Sequence, residues 1–300
     1  MRIVKINAND AMQRLDKFLI KYLPAMPKGA LYKGLRKDCV RVNGKHVRDG
    51  GYMLNEGDEL KLFFREEYYG KETDIKEVRI DFGIVYEDQN IILINKPRGT
   101  VVHADDKNTS DTLVEQLIYY LYKKGEYDPK SEHGFKPALC NRLDRNTSGI
   151  VIGAKNAAAL RIINEKIRKR EVHKLYKCRV EGIMKNPLQC NGYIIKGDKR
   201  VKTADKLSDG AKYAQLSARP LAYEGNTTIA EVELMTGRTH QIRAQLAAMG
   251  YPLVNDKKYS GHGNGKYELV SYKLRFDFKS DAGIMNYING REFVLKEALL

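Results

Sequence analysis

The sequence predicts an α+β fold, a mixed, largely antiparallel sheet flanked by helices, preceded by a small α/β module. Three observations carry this. Short apolar runs with strand-like spacing outnumber helical stretches and often follow one another directly, as at 84–86 and 91–94, which a doubly wound parallel sheet does not do. The opening residues hold a helix–helix–hairpin pattern of their own. And 300 residues, 42% of them apolar, suffice for two cores at roughly 150 residues per domain.

In the opening module, assigned to residues 1–66, Asp10 precedes an apolar series at helical spacing (Met12, Leu15, Leu19, Tyr22), with Gln13 where a capping-box partner belongs. A second short helix turns Leu31 and Leu35 inward and leaves Lys33, Arg36 and Lys37 on other faces. Val40 and Val42 alternate with Arg41 into Asn43-Gly44, a two-residue hairpin signal, with Lys45 just beyond. Leu60, Leu62 and Phe64 alternate again after Glu56-Gly57-Asp58. Residues 67–80 are polar and aperiodic and contain Gly70; they read as a linker.

The remainder, 81–300, mixes strands and helices. Residues 84–86 and 91–94 bracket 87–90 as a strand pair. Residues 112–124 are helical, with Leu113, Leu117 and Leu121 on one stripe and Gly125 as the stop. Residues 150–152 make a buried strand. A helix over 157–168 buries Leu160, Ile163 and Ile167 while Arg161, Lys166 and Arg168 stay in water. Residues 176–180 and 228–234 read as strands, and 239–249 as a helix stopped by Gly250.

Lys and Arg outnumber Asp and Glu by 53 to 38, a formal net charge of +15, which favours polyanionic partners. The charge is clustered. Between Lys28 and Arg48 seven basic residues face only Asp38, and between Lys155 and Arg179 nine face Glu165 and Glu171. Such clusters suit a phosphate backbone better than a small substrate. No apolar run approaches the roughly 18 residues that cross a bilayer, the opening residues lack a signal-peptide stretch, and the four cysteines form no C-x-x-C pair. A cytoplasmic protein with no membrane partner and no disulfide framework is expected. The six histidines lack metal-ligand spacing, so no metal site is expected. Gly261-His-Gly-Asn-Gly-Lys266 has the wrong spacing for a phosphate-binding loop, and Tyr267 stands where Ser or Thr belongs.

Three clusters hold polar residues that packing alone would not choose. In Asn141-Arg-Leu-Asp144-Arg-Asn-Thr147, Asp144 is flanked by Arg142 and Arg145, whose charge favours an ionised carboxylate; an Asx turn is the plainer use of such an Asp. In Gly237-Arg-Thr-His240-Gln-Ile-Arg243, Arg238 and Arg243 stand at the start of a helix whose amide end attracts anions. Arg243 lies beside the core-facing Ile242 and Leu246 and calls for a carboxylate partner, whether functional or structural. In Lys174-Leu-Tyr176, an exposed tyrosine amid basic residues offers a platform for a nucleobase.

Two resemblances join these pieces. Arg14-Leu-Asp-Lys-Phe-Leu19, the basic second helix, Val42-Asn-Gly-Lys45 and Gly57-Asp58 resemble the S-four RNA-binding module, except that Pro27-Lys28-Gly29 replaces the usual Ser or Thr before that helix. The resemblance implies that Lys33, Arg36, Lys37, Arg41 and Lys45 clamp structured RNA. Asn95-Lys-Pro-Arg-Gly-Thr-Val-Val-His103, the Asp144 loop, Lys174-x-Tyr176 and the 237–243 motif occur in the order found in RluA-type ribosomal large-subunit pseudouridine synthases, across about 81–260. The usual His before Arg-Leu-Asp is Asn141 here, and the usual Gly before the late Asp is Asn255.

That second resemblance implies a pseudouridine-synthase-like catalytic domain that isomerises uridine within RNA, most plainly ribosomal RNA. The base–ribose bond breaks, the uracil turns, and it rejoins through carbon 5. No electrons are gained and no phosphate is consumed, so neither cofactor nor metal is needed. The implied catalytic residues are Asp144 as the reactive carboxylate, acting as nucleophile or as base, Tyr176 stacking on the uracil, and Arg243 pairing with Asp144. By the same resemblance Arg142 is expected to fill the stack vacated by a flipped base, and Lys174, Arg238 and His240 to contact the RNA. The partner is structured RNA, and the protein is expected to act as a monomer. Transfer RNA as substrate and a non-catalytic role in ribosome assembly stay open. So does a glycosidase or nuclease using paired carboxylates, for which Asp205 and Asp256 are the nearby acids.

Overall fold

In a computed structural model, residues 1–70, 75–104, 111–197, 201–204, 206–259 and 264–296 are described. By packing, the chain divides into two compact units. One comprises Met1–Ile80, Glu115–Ala138 and Ala154–Arg161; the other comprises Asp81–Val114, Leu139–Gly153 and the chain from Ile162 onward. Residues 115–138 and 154–161 therefore pack with the opening module, although chain order places them within 81–300.

The first unit contains β1 (Arg2–Lys5), α1 (Leu15–Tyr22), α2 (Lys28–Arg36), β2 (Val40–Val42), β3 (Lys45–His46) and β4 (Glu59–Leu62), the strands ordered β1-β4-β2-β3. Asn43 and Gly44 adopt φ +50° and +79°, the left-handed pair that a two-residue hairpin turn requires. Leu15, Phe18, Leu19, Leu31, Leu35, Leu60 and Leu62 form the core, as the helical and alternating spacings predict. Tyr69, inside the stretch read as a linker, is buried in the same core, so the module's packing extends past residue 66.

The expected cap at Asp10 is not there. α1 begins after Arg14, Met12 is 64% exposed, and Asp10 is wholly buried near His133 and Glu132. Burial pushes its carboxyl pKa up to about 6. A cap must stand directly before the first helical turn, and Asp10 lies a full turn too early.

The remaining elements are β5 (Gly83–Glu87), β6 (Ile91–Lys96), α3 (Leu113–Lys123), β7 (Ala138–Leu139), β8 (Ser148–Ala154), α4 (Ala157–Arg168), β9 (Val172–Glu181), β10 (Leu188–Lys196), β11 (Val201–Ala204), β12 (Lys212–Glu224), β13 (Thr227–Leu234), α5 (Gln241–Ala248), β14 (Leu269–Phe276) and β15 (Glu292–Val294). The main path of the large sheet is β11-β10-β12-β13-β9-β14-β8-β6-β5. Its described pairings are antiparallel except β8 with β14, which is the mixed, largely antiparallel sheet expected. Lys166 on α4 is not in water as its helical position suggests. It is 1% exposed, and its ammonium donates to Ser280 at 2.7 Å and 2.9 Å and pairs with Glu171 at 2.9 Å.

The parallel pairing sets the exit of the Asp144 loop. Gly149 lies opposite Ser271 with φ +115°, and a Cβ there would sit 2.2 Å from the Ser271 carbonyl oxygen. Gly149→Ala is therefore expected to push β8 from β14 and lower the melting temperature by several degrees. Thermal melts of the variant beside wild type check this.

Candidate active site

Four segments of the second unit enclose a cavity of about 480 Å³: the loop before β8, the inner face of β9, the turn leading into α5, and the last turn of α4. That size falls in the range of small-ligand sites. Asp144, Tyr176, Arg243, Arg142, Lys174, Arg238 and His240 all line it. Three sequence clusters far apart in the chain thus meet at one place.

Asp144 sits in a turn closed by the Thr147 N–H donating to its backbone carbonyl at 3.0 Å. The neighbouring Arg145 carbonyl accepts from the Gly99 N–H at 2.8 Å and from the Lys96 ammonium at 3.2 Å. Lys96 is fully buried and also donates to the Pro97 and Thr100 carbonyls, both at 2.8 Å. Burial pulls its pKa down to about 8, opposed by Asp81 and Asp144. The 95–103 motif therefore acts as a bracket on the Asp144 loop. The Asp144 side chain is 19% exposed, with Oδ2 3.9 Å from His240 Nε2.

β9 alternates buried and half-buried positions along its length, so Lys174 and Tyr176 share the inner face with Val172 and Cys178. Tyr176 is 4% exposed and not the exposed platform expected; strand alternation turns it inward, onto the cavity wall. Burial, and then Asp144, raise its phenol pKa. Lys174 is likewise buried, and loss of hydration lowers its pKa.

Arg243 does not pair with Asp144. Its Nε and Nη2 donate to the two oxygens of Asp256 at 2.7 Å and 2.8 Å, a bidentate contact between groups 8% and 1% exposed. The physical reason is hydration. Asp256 is almost dry and needs a partner for both oxygens, whereas Asp144 faces the cavity. Burial opposes the Arg243 charge, but the Asp256 carboxylate holds its pKa above the usual value. The guanidinium also lies over the Tyr267 ring at 4.5 Å and the Tyr259 ring at 5.0 Å. Asp256 is thereby engaged and is not a spare acid for a glycosidase; Asp205, and residues 261–263 of the loop-like Gly261 motif, lie outside the described residues.

His240 caps α5 with left-handed backbone, φ +54°. Its Nδ1 is 3.0 Å from the Tyr259 hydroxyl, and burial lowers its pKa, opposed by the Asp144 carboxylate. Arg142 and Arg238 are exposed at the cavity, Arg238 donating to the Tyr213 carbonyl at 2.9 Å. Lys33, Arg36, Lys37, Arg41 and Lys45 lie in the other unit, all exposed, with Arg41 paired to Asp38 at 2.6 Å. Sequence reading missed the bracket role of Lys96, the Asp256 partner, and the Tyr259 and Tyr267 rings. Only the placement of Lys96 in a Pro-Arg-Gly turn motif hinted at any of these. Among the described residues no group of three or more His, Cys, Asp or Glu could hold a metal ion, and no helix is long and apolar enough to cross a membrane.

Comparison with known proteins matches both parts of the chain. Residues 90–248 match the family model for RNA pseudouridylate synthase, and residues 13–60 match that for the S4 domain, the S-four module. The chain is 30% identical over 295 residues to an uncharacterized RNA pseudouridine synthase of Mycoplasma capricolum, covering 96% of this chain and 95% of that protein. It is 32% identical over 279 residues to ribosomal large subunit pseudouridine synthase C of Escherichia coli, covering 86% and 80%. The solved structure of human RNA pseudouridylate synthase domain containing 4 shares the fold, with a TM-score of 0.56 at 20% identity over 71% of this chain and 88% of that one.

Proposed function

Because the chain belongs to the RNA pseudouridylate synthase family, an isomerase family acting on uridine in RNA, we propose that it converts specific uridines of large-subunit ribosomal RNA to pseudouridine. Asp144 is the catalytic carboxylate, Tyr176 holds the detached uracil, and Arg243, through Asp256, fixes the floor of the site. Arg142, Lys174, Arg238 and His240 meet the RNA around the target. Residues 1–66, carrying Lys33, Arg36, Lys37, Arg41 and Lys45, grip the RNA with Tyr69 completing their core, the rest of 67–80 connects, and within 81–300 the unit that lines the cavity performs the chemistry. The protein works as a cytoplasmic monomer, without cofactor or metal.

The observation that supports this reading best is the cavity-facing Asp144 carboxylate, 3.9 Å from the His240 imidazole and walled by Tyr176. Isomerisation needs one carboxylate that can reach the nucleoside, and a surround that keeps the freed uracil from leaving. The C1′–N1 bond breaks and a C1′–C5 bond forms; the proton lost from carbon 5 balances the one gained at N1. The target must first leave its stack, at roughly a few kcal/mol, which the exposed Arg142 at the cavity offsets by occupying the gap.

Mapping pseudouridines in total RNA from cells with and without the gene tests the assignment. Loss at large-subunit positions is expected. Loss in transfer RNA moves the target, and no loss anywhere leaves only a binding role. A companion prediction concerns the first unit: replacing Lys33, Arg36 and Lys37 together by Gln is expected to weaken RNA binding and flatten its salt dependence by about 0.7–0.9 for each phosphate no longer neutralised. Fluorescence anisotropy over a salt series measures both.

A further inference from the structure

The cavity is also lined by two arginines that belong to none of the three polar clusters, although they fall within the basic stretch from Lys155 to Arg179. Arg168 and Arg170, at the end of α4, both line the cavity and both are exposed. The other cations of this turn are satisfied within the protein: Lys169 pairs with Glu165 at 2.6 Å and Lys166 with Glu171 at 2.9 Å. Among the described residues Arg168 and Arg170 have no carboxylate partner, and Arg170 reaches only the Gln215 side-chain oxygen, at 3.5 Å.

Arg170 also stands where its residue type is disfavoured. The Arg170 N–H donates to the Ile167 carbonyl at 3.1 Å and the Glu171 N–H to the Lys166 carbonyl at 2.9 Å, the hydrogen-bond pair that closes a helix through one left-handed residue. Arg170 is that residue, with φ +62°. The same closure ends α3 at Gly125 (φ +72°) and α5 at Gly250 (φ +85°); after α2, where the Cys39 N–H donates to the Gly34 carbonyl, the left-handed residue is Asp38 (φ +60°), a type enriched in this conformation. A long side chain gains nothing locally from that backbone. Attraction of cations to a helix carboxyl end explains positive charge near α4, but Lys166 and Lys169 already supply it, and it does not explain a strained arginine. Strain retained beside a reactive cavity points to use of the side chain.

We propose that Arg170, assisted by Arg168, is an RNA-binding residue that holds the phosphodiester backbone flanking the flipped nucleotide, at the same cavity as Arg142 and Arg238. Guanidinium groups suit this because they grip phosphate oxygens with paired N–H donors. The proposal rests on the reading of the cavity as a uridine-isomerising site.

The test uses Arg170→Gly, because glycine relieves the backbone while removing the guanidinium, with Lys169→Gln as a charge-matched control on the same turn. Substrate for turnover is an unmodified large-subunit ribosomal RNA transcript, and binding is followed separately by anisotropy on a fluorescent fragment of it. Arg170→Gly is expected to melt at the same temperature as wild type or higher, to raise KM roughly tenfold with a smaller change in kcat, and to lower the salt slope by about 0.7–0.9. Arg170→Lys should recover part of the binding. A lower melting temperature with unchanged KM and salt slope would mean a structural role and overturn the proposal. So would an equal loss in Lys169→Gln, which would indicate diffuse charge, or a wild-type protein that does not bind the fragment. If wild type binds but forms no pseudouridine, a changed salt slope in Arg170→Gly keeps the clamp while the assigned activity fails.

Discussion

Asp144→Asn is expected to lower the rate of tritium release from carbon 5 of uridine by at least roughly 10³-fold, the scale lost when a reacting group is removed, while RNA affinity and melting temperature stay near wild type. The amide has the shape of the carboxylate but neither its negative charge nor its basicity, so any step in which the carboxylate attacks carbon or takes a proton stops. Little else depends on that side chain. Its contact to His240 is 3.9 Å, longer than a hydrogen bond, and the turn is held by backbone and by Lys96 acting on the Arg145 carbonyl. The outcome separates catalysis from binding. A variant that still turns over would show that another group reacts, whereas one that loses RNA affinity in parallel would make Asp144 a binding residue. Asp144→Glu, longer by one methylene in a cavity of fixed width, should also fall far below wild type.

Much of this arrangement was legible because its signals are local. Asn43-Gly44 announces its hairpin by residue type, and α4 runs over the residues its apolar spacing marks, Ala157–Arg168. The motif order brought Asp144, Tyr176 and Arg243 to one cavity. What escaped depends on partners remote in sequence. β10, β12 and β14 went unrecognised because their half-exposed faces mix polar and apolar residues, as in Leu188–Lys196, and they become strands by pairing with neighbours. The basic neighbours of Tyr176 suggest an exposed surface, but alternation along β9 turns both it and Lys174 inward. Lys166 falls at a solvent position of its helix yet is drawn inward by Glu171 and Ser280, groups that helical periodicity cannot see. For Arg243, burial beside Ile242 and Leu246 correctly called for a carboxylate. Which carboxylate is a question of relative dryness, and only the fold answers it.

That answer makes Asp256→Asn the second large effect. Asp256 is 1% exposed and takes both guanidinium donors of Arg243, so the amide leaves a buried cation with at most one acceptor. Breaking one side of a buried ion pair costs about 3–5 kcal/mol, which corresponds to a melting temperature lower by on the order of 10 °C. Activity is expected to fall with it, because Arg243 lies over Tyr259 and Tyr267, and Tyr259 in turn holds His240 at 3.0 Å, the residue that faces Asp144. Arg243→Lys distinguishes this from a purely electrostatic role. If Arg243 served only to place positive charge near Asp144, lysine would keep most of the turnover. Because the contact is a bidentate fork that an ammonium cannot reproduce, Arg243→Lys is expected to lose stability and activity nearly as fully as Arg243→Met. Differential scanning calorimetry and single-turnover rates at a temperature below both melts measure the two effects apart. A lysine variant as active as wild type would show that charge near Asp144, rather than the anchored geometry of the Asp256 pair, is what the reaction uses.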